Sequence, residues 1–176
     1  MKMTSWFKLT VLAAAAAATM GANAAAVNTG TITVNGRINT TGCVIDAAST
    51  SAAIELGTII AADFGGTKGA KSPAKDFTIH LTQCPEAQAG VSLTANGTAD
   101  ATDSKLLAIT GVTGIGLGLY NPDDTQINLN SASAVTTIDA TSHEANIPLR
   151  AAAVYTGGTV TEGQFTATTN FTLTYN

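Results

Sequence analysis

Charge is scarce in this chain. Of 176 residues, 8 are Lys or Arg and 12 are Asp or Glu, which leaves 11% charged and a net of −4. Phosphate backbones are bound by clustered Lys and Arg, so a net-acidic chain this poor in cations is no nucleic-acid binder. Aromatic residues amount to 5%, Pro occurs four times, Cys twice, and the one Trp is Trp6. A core so short of rings has to be assembled from Val, Ile, Leu and a few Phe. Long apolar runs are missing beyond the first two dozen residues, and a bilayer span takes about 20 of them. No downstream segment is therefore suited to stable membrane insertion. What is plentiful is Thr, at 30 residues, and Gly, at 17. β-Branched residues punctuated by Gly, with few helix-favouring charges, point to strands and turns rather than a bundle.

The amino terminus reads as an export signal. Lys2 and Lys8 supply the positive start, Leu9 to Ala18 the short apolar run, and Ala22-Asn23-Ala24 the small-x-small cleavage pattern. Residues 1–24 are assigned to the signal, with Ala24-Ala25-Ala26 offering a second cut two residues later. Its removal deletes two lysines and no acid, so the exported chain is more acidic than the whole. Both Cys, Cys43 and Cys84, lie in the exported part. An even count of two in an oxidising compartment reads most simply as one disulfide. A metal site is the rival reading, but His80 and His143 stand at no recognised ligand spacing from the two Cys.

Period-two alternation recurs along the exported chain, with no capped 3.6-residue pattern. Gly30, Ile32, Val34, Gly36 and Ile38 alternate with Thr31, Thr33, Asn35 and Arg37. Phe77, Ile79 and Leu81 form a second stripe, Val91, Leu93 and Ala95 a third, and Ile115, Leu117 and Leu119 a fourth. Ile147, Leu149 and Ala151 follow, and Phe165 to Tyr175 share one parity to the end. Asn96-Gly97, Asn121-Pro122-Asp123-Asp124 and Gly157-Gly158 supply the turns. Short strands with such punctuation predict an all-β sandwich with antiparallel pairing. The first stripe is unusual. It precedes the first Cys across the polar connector Asn39-Thr40-Thr41-Gly42, and it carries Gly30 and Gly36 where a core strand would carry bulk. It reads either as an ordinary bulged first strand or as a detachable strand shaped for a groove elsewhere.

These residues together resemble the chaperone–usher pilins, of the type 1 fimbrial major-subunit kind. The resemblance covers the whole exported length. It rests on the alternating extension with Gly36 between Val34 and Ile38, on the spacing of Cys43 and Cys84, and on the penultimate Tyr175. It also rests on Gly163, fourteenth from the carboxyl terminus, and on Ile147-Pro148-Leu149 running through Tyr155-Thr156-Gly157. What the resemblance implies is an incomplete immunoglobulin-like β-sandwich, completed by a donor strand and held by one disulfide. Residues 25–39 would be the donor-strand extension and residues 40–176 the pilin domain. Gly30, Ile32, Val34, Gly36 and Ile38 would face a neighbour's groove. Gly163, Phe171, Leu173 and Tyr175 would mark the groove edge and the chaperone-binding strand. The partners implied are neighbouring pilin subunits in a homopolymer, a periplasmic chaperone and an outer-membrane usher. Strand addition to an open sheet edge has chaperone–pilin pairs as a known example. The expected location is a fimbria on the cell surface, reached through the periplasm.

Enzymatic chemistry is not expected, nor a cofactor. Gly65-Gly66-Thr67-Lys68-Gly69-Ala70-Lys71-Ser72 comes near a phosphate-binding loop, but Ala70 stands where the second Gly is required. Gly114-Ile115-Gly116-Leu117-Gly118 has the wrong spacing for a dinucleotide fingerprint. His80 falls on a polar strand face, His143 beside Glu144 reads as loop surface, and Asp123-Asp124 as a turn rather than a calcium loop. Asn39, Asn96 and Asn170 stand in glycosylation sequons. The function expected is a structural fimbrial subunit polymerising by donor-strand exchange, as the major rod subunit. The alternatives are a minor adaptor or tip subunit of the same fibre, and a stand-alone secreted carbohydrate-binding β-sandwich.

Overall fold

The apolar stripes become strands because alternate side chains of an extended chain point to one face. The structure, a computed structural model, describes residues 42–176. The signal expected at 1–24, the extension expected at 25–39 and residues Gly30, Ile32, Val34, Gly36 and Ile38 fall outside the described residues. In chain order the elements are β1 (Val44–Ile45), α1 (Ala47–Thr50), a 3₁₀ turn (Ala61–Phe64), β2 (Lys75–Thr82), β3 (Gly90–Asn96) and β4 (Ile115–Tyr120). They continue with β5 (Gln126–Ile127), β6 (Thr136–Thr137), β7 (Ala145–Tyr155) and β8 (Asn170–Tyr175). The two helical pieces are single turns, too short for periodicity to register.

Two sheets result, one in the order β1-β2-β7-β4-β5 and one in the order β6-β3-β8. Every pairing is antiparallel. Ile79, Leu81, Ile147 and Leu149 of the larger sheet share one buried cluster with Val91, Leu93 and Ala95 of the smaller. Each large side chain so buried is worth about 1.5–3 kcal/mol before ordering costs. Pairing of Val44 with Thr82 sets β1 beside β2, and the Cys43–Cys84 disulfide closes next to that pair.

The larger sheet is covered on its outer face too. Leu106 and Tyr120 pack there on Ala152 and Val154, so the run Ala151 to Val154 is buried throughout. The same cover explains the glycines of β4. A Cβ on Gly118 would stand 2.6 Å from the Tyr120 hydroxyl, so only a hydrogen is accommodated.

One expectation fails. Phe165, Ala167 and Thr169 share the parity of Phe171 to Tyr175, yet the strand begins at Asn170. The Thr166 N–H donates to the Thr110 carbonyl (3.1 Å) and the Thr110 N–H to the Thr166 carbonyl (2.9 Å). Residues 156–169 are thus held against the 110–114 turn instead of extending β8. Gly111 permits that contact, with φ at +99° and no room for a Cβ beside the Gln164 carbonyl.

Candidate functional site

The smaller sheet ends at β8, and among the described residues no strand pairs with its outer side. Hydrogen-bond parity fixes what that side presents. Ser133 N–H donates to the Leu93 carbonyl (2.8 Å) and Asn130 N–H to the Ala95 carbonyl (2.9 Å), so the odd-numbered groups of β3 point away from β8. The even-numbered groups must then meet β8, as the reciprocal bonds between Gly90 and Asn176 illustrate. In antiparallel register, Leu93 faces Leu173 and Ala95 faces Phe171 as non-hydrogen-bonded pairs. The N–H and C=O groups of Phe171, Leu173 and Tyr175 therefore point outward along the edge.

Beside this edge the two sheets part to leave a groove of about 1270 Å³. Its floor is core: Phe77, Ile79, Leu93, Leu117, Leu149 and Phe171. One wall is the segment Ala52 to Ile60, which packs Ile54 and Leu56 on the core. Among the described residues that segment makes no backbone–backbone hydrogen bond between positions 52 and 59. The far rim is built from residues 160–169, held in place where the Thr113 hydroxyl donates to the Thr159 carbonyl (3.0 Å). The charged residues that line the groove are Glu55 and Glu162. An open edge, an apolar floor and an acidic rim together suit an extended chain with alternating apolar side chains.

The residues singled out from sequence take distinct places. Phe171 lines the groove, while Leu173 and Tyr175 sit half-buried farther along β8 on the same core. The Tyr175 hydroxyl accepts a hydrogen bond from the Cys43 N–H at 3.0 Å, at the disulfide end of the domain. Gly163 lies upstream of β8, in the rim segment, with φ at +152°. The wall at 52–60 alternates only across Ile54-Glu55-Leu56, too briefly to signal an element, and the rim glutamates carry no sequence signal.

The other candidates are structural. Residues 69–72 pair with β7 rather than forming a cradle, and the buried Ser72 hydroxyl accepts from the Ala153 N–H (3.1 Å). Lys71 lies 4.4 Å over the Tyr120 ring and 3.7 Å from Asp124. Arg150 bridges Asp76 (2.7 Å) and Asp124 (2.6 Å), so cations already occupy the side where Asp124 would meet calcium. The Thr125 hydroxyl and N–H bind Asp123 and hold its carboxyl below the usual range, as expected of a turn cap. His80 stands half-exposed, 3.8 Å from both Asp46 and Glu144. His143 has φ at +57° in a surface turn, its carbonyl accepting from the Cys84 N–H (2.9 Å). Among the described residues no group of His, Cys, Asp and Glu is arranged for a metal. Asn96 and Asn170, both in sequons, face each other across β3 and β8, and Asn39 lies outside the described residues.

Comparison with known proteins gives a consistent neighbourhood. The family model described as fimbrial protein matches residues 29–176. A probable major fimbrial subunit, LpfA of Escherichia coli O157:H7, is 31% identical, with 96% of this chain and 94% of that protein covered. The PRS fimbrial major pilin protein of Escherichia coli is 32% identical over 88% of this chain and 99% of its own length. Among solved structures, a chaperone–usher pilus described in connection with rod uncoiling superposes with a TM-score of 0.66. It shares 25% identity and covers 85% of this chain and 96% of its own.

Proposed function

The chain belongs to the fimbrial protein family, and on that premise we propose that it is the major rod subunit of a surface fibre, polymerising by donor-strand exchange. It is a structural subunit of chaperone–usher pili with an all-β, immunoglobulin-like fold, and its place is the cell surface. The single observation that carries the mechanism is the edge of β8, unpaired among the described residues and beside an apolar groove. Left open, such an edge and floor would aggregate, so a partner strand is required.

Residues 25–39 of a neighbouring copy are the donor. Ile32, Val34 and Ile38 enter the groove and Gly36 fills the position where a side chain has no room. Peptide groups of the donor pair with Phe171, Leu173 and Tyr175, and a slip of one residue would turn Thr31, Thr33 and Arg37 inward. Arg37 is the one charge in this stretch, and among the described residues the groove it would flank is lined by two glutamates and no Lys or Arg. During export a periplasmic chaperone holds the same edge, and an outer-membrane usher exchanges it for the next subunit's extension. The rod assignment draws support from relatives that are themselves described as major subunits.

A denaturing gel of surface-sheared protein tests the reading, because interlocked strands unfold slowly and survive without heating. A ladder of multimers is expected in the unheated lane, collapsing to one band on heating in acid. Deleting residues 25–38 should abolish the ladder while the chain is still exported and oxidised. An unchanged ladder in that deletion would sink donor-strand exchange. Loss of this subunit should also remove the fibre; surviving full-length fibres would make it an adaptor.

A further inference from the structure

Tyr175 belongs to two places at once. Its peptide N–H and C=O lie on the open edge of β8, by the parity derived above from the bonds of Leu93, Ala95 and Gly90. Its side chain runs the other way, onto the core, and its hydroxyl accepts the Cys43 N–H at 3.0 Å. The ring also lies against Gly42. A Cβ at that position would stand 2.7 Å from Cε2 of Tyr175, so the residue before the disulfide is kept free of a side chain by this ring. Cys43 is tied in turn to Cys84 and so to β2. The last aromatic of the edge strand thus holds the chain at the point where the amino-terminal extension joins the domain.

We propose that Tyr175 is a positioning residue linking the two halves of subunit assembly: a strand captured along β8 fixes Tyr175, and through its hydroxyl and ring fixes Gly42 and Cys43, the root of the subunit's own extension. The inference rests on the donor-strand reading above. In physical terms, an edge residue bonded to an incoming strand loses freedom, and a hydrogen bond from its side chain is then better kept. A subunit with a filled groove would present its own extension from a fixed root, and one with an empty groove from a looser one. Head-to-tail growth then proceeds from filled subunits.

Amide hydrogen exchange on the purified subunit, kept dilute enough that open edges do not meet, tests this, with a synthetic peptide of residues 27–40 in excess as the incoming strand. Protection of the Phe171 and Leu173 amides reports whether the groove is filled. Filling should slow exchange at Cys43 by about fivefold, the ratio that one net hydrogen bond of about 1 kcal/mol supports. In Tyr175→Phe, which keeps the ring and loses the hydroxyl, the peptide should still protect Phe171 and Leu173 while most of its effect on the Cys43 rate is lost. A merely structural hydroxyl would raise the Cys43 rate equally with and without peptide, and that result overturns the link. So does a wild-type Cys43 rate that ignores the peptide. Absent protection at Phe171 and Leu173 would instead bring down the groove reading, and the link with it.

Discussion

The two long sides of the smaller sheet are treated in opposite ways. On the β3 side every outward group that can be followed is occupied. The Leu93 N–H donates to the Ser133 hydroxyl (3.0 Å), the Leu93 carbonyl accepts from the Ser133 N–H, and β6 pairs with Gly90 and Val91. On the β8 side, among the described residues, the corresponding groups of Phe171 and Leu173 meet nothing. Both edges have the same alternation and the same kind of core beneath them, so propensity does not separate them. What separates them is a neighbouring segment: residues 130–137 lie against one edge, and residues 52–60 stand off from the other across a groove. A sealed edge is the ordinary protection against unwanted pairing, which makes the open one a feature in need of a use.

The largest way to break this contrast is to loosen both edges together. Cys43→Ser with Cys84→Ser opens a covalent link spanning a sequence separation of 41 residues. The chain-entropy model assigns about 4 kcal/mol to a loop of that size. Urea unfolding should show a loss of unfolding free energy of that order in the double variant. A loss under about 1 kcal/mol would mean that the end of the domain holding Tyr175 does not depend on the bond.

A finer test compares single residues across the sheet. Ser133→Ala strips the acceptor from the Leu93 N–H inside a buried contact, and an orphaned buried donor costs about 1–3 kcal/mol. Thr172→Ala removes only an exposed hydroxyl that accepts from Asn96 Nδ2 (3.0 Å), and should stay within about 0.5 kcal/mol. Equal losses in the two variants, measured by the same urea titration, would mean that the buried Ser133 contact does no more for its edge than an exposed bond does.

How much of this was written in the sequence differs between elements. The stripes at Phe77, Val91, Ile115 and Ile147 are legible because apolar residues alternate there with polar or small ones, even where β4 and the end of β7 are covered on both faces. The donor role proposed for residues 25–39 is legible only through resemblance, since a Gly-bearing extension ahead of a Cys has a bland reading too. Phe165 to Thr169 look like strand because parity reports spacing and not partners; the Thr110–Thr166 bridge decides their fate, and nothing local announces it. The wall at residues 52–60 is the opposite case. Its alternation is confined to Ile54-Glu55-Leu56 and among the described residues it pairs in neither sheet, because it stands beside a groove. The resemblance places Tyr175 at the groove edge, but its bond to Cys43 joins positions 132 residues apart, beyond the reach of any local pattern.

The smallest effect sharpens the open edge alone. Under the donor-strand reading, Arg37 of an incoming extension passes a groove whose charged lining is Glu55 and Glu162. Exposed pairs of this kind are worth only about 0.2–1 kcal/mol, so Arg37→Gln should slow strand exchange by at most about fivefold, and Arg37→Glu, which adds repulsion, by more. Rim charges act chiefly on association, so the loss should shrink as salt is raised. Glu55→Lys with Glu162→Lys should recover the rate of the Arg37→Glu donor. Stopped-flow exchange at low and high ionic strength measures all of these. An effect that ignores salt would assign Arg37 to packing or register, and the acidic rim would then have no part in choosing the strand.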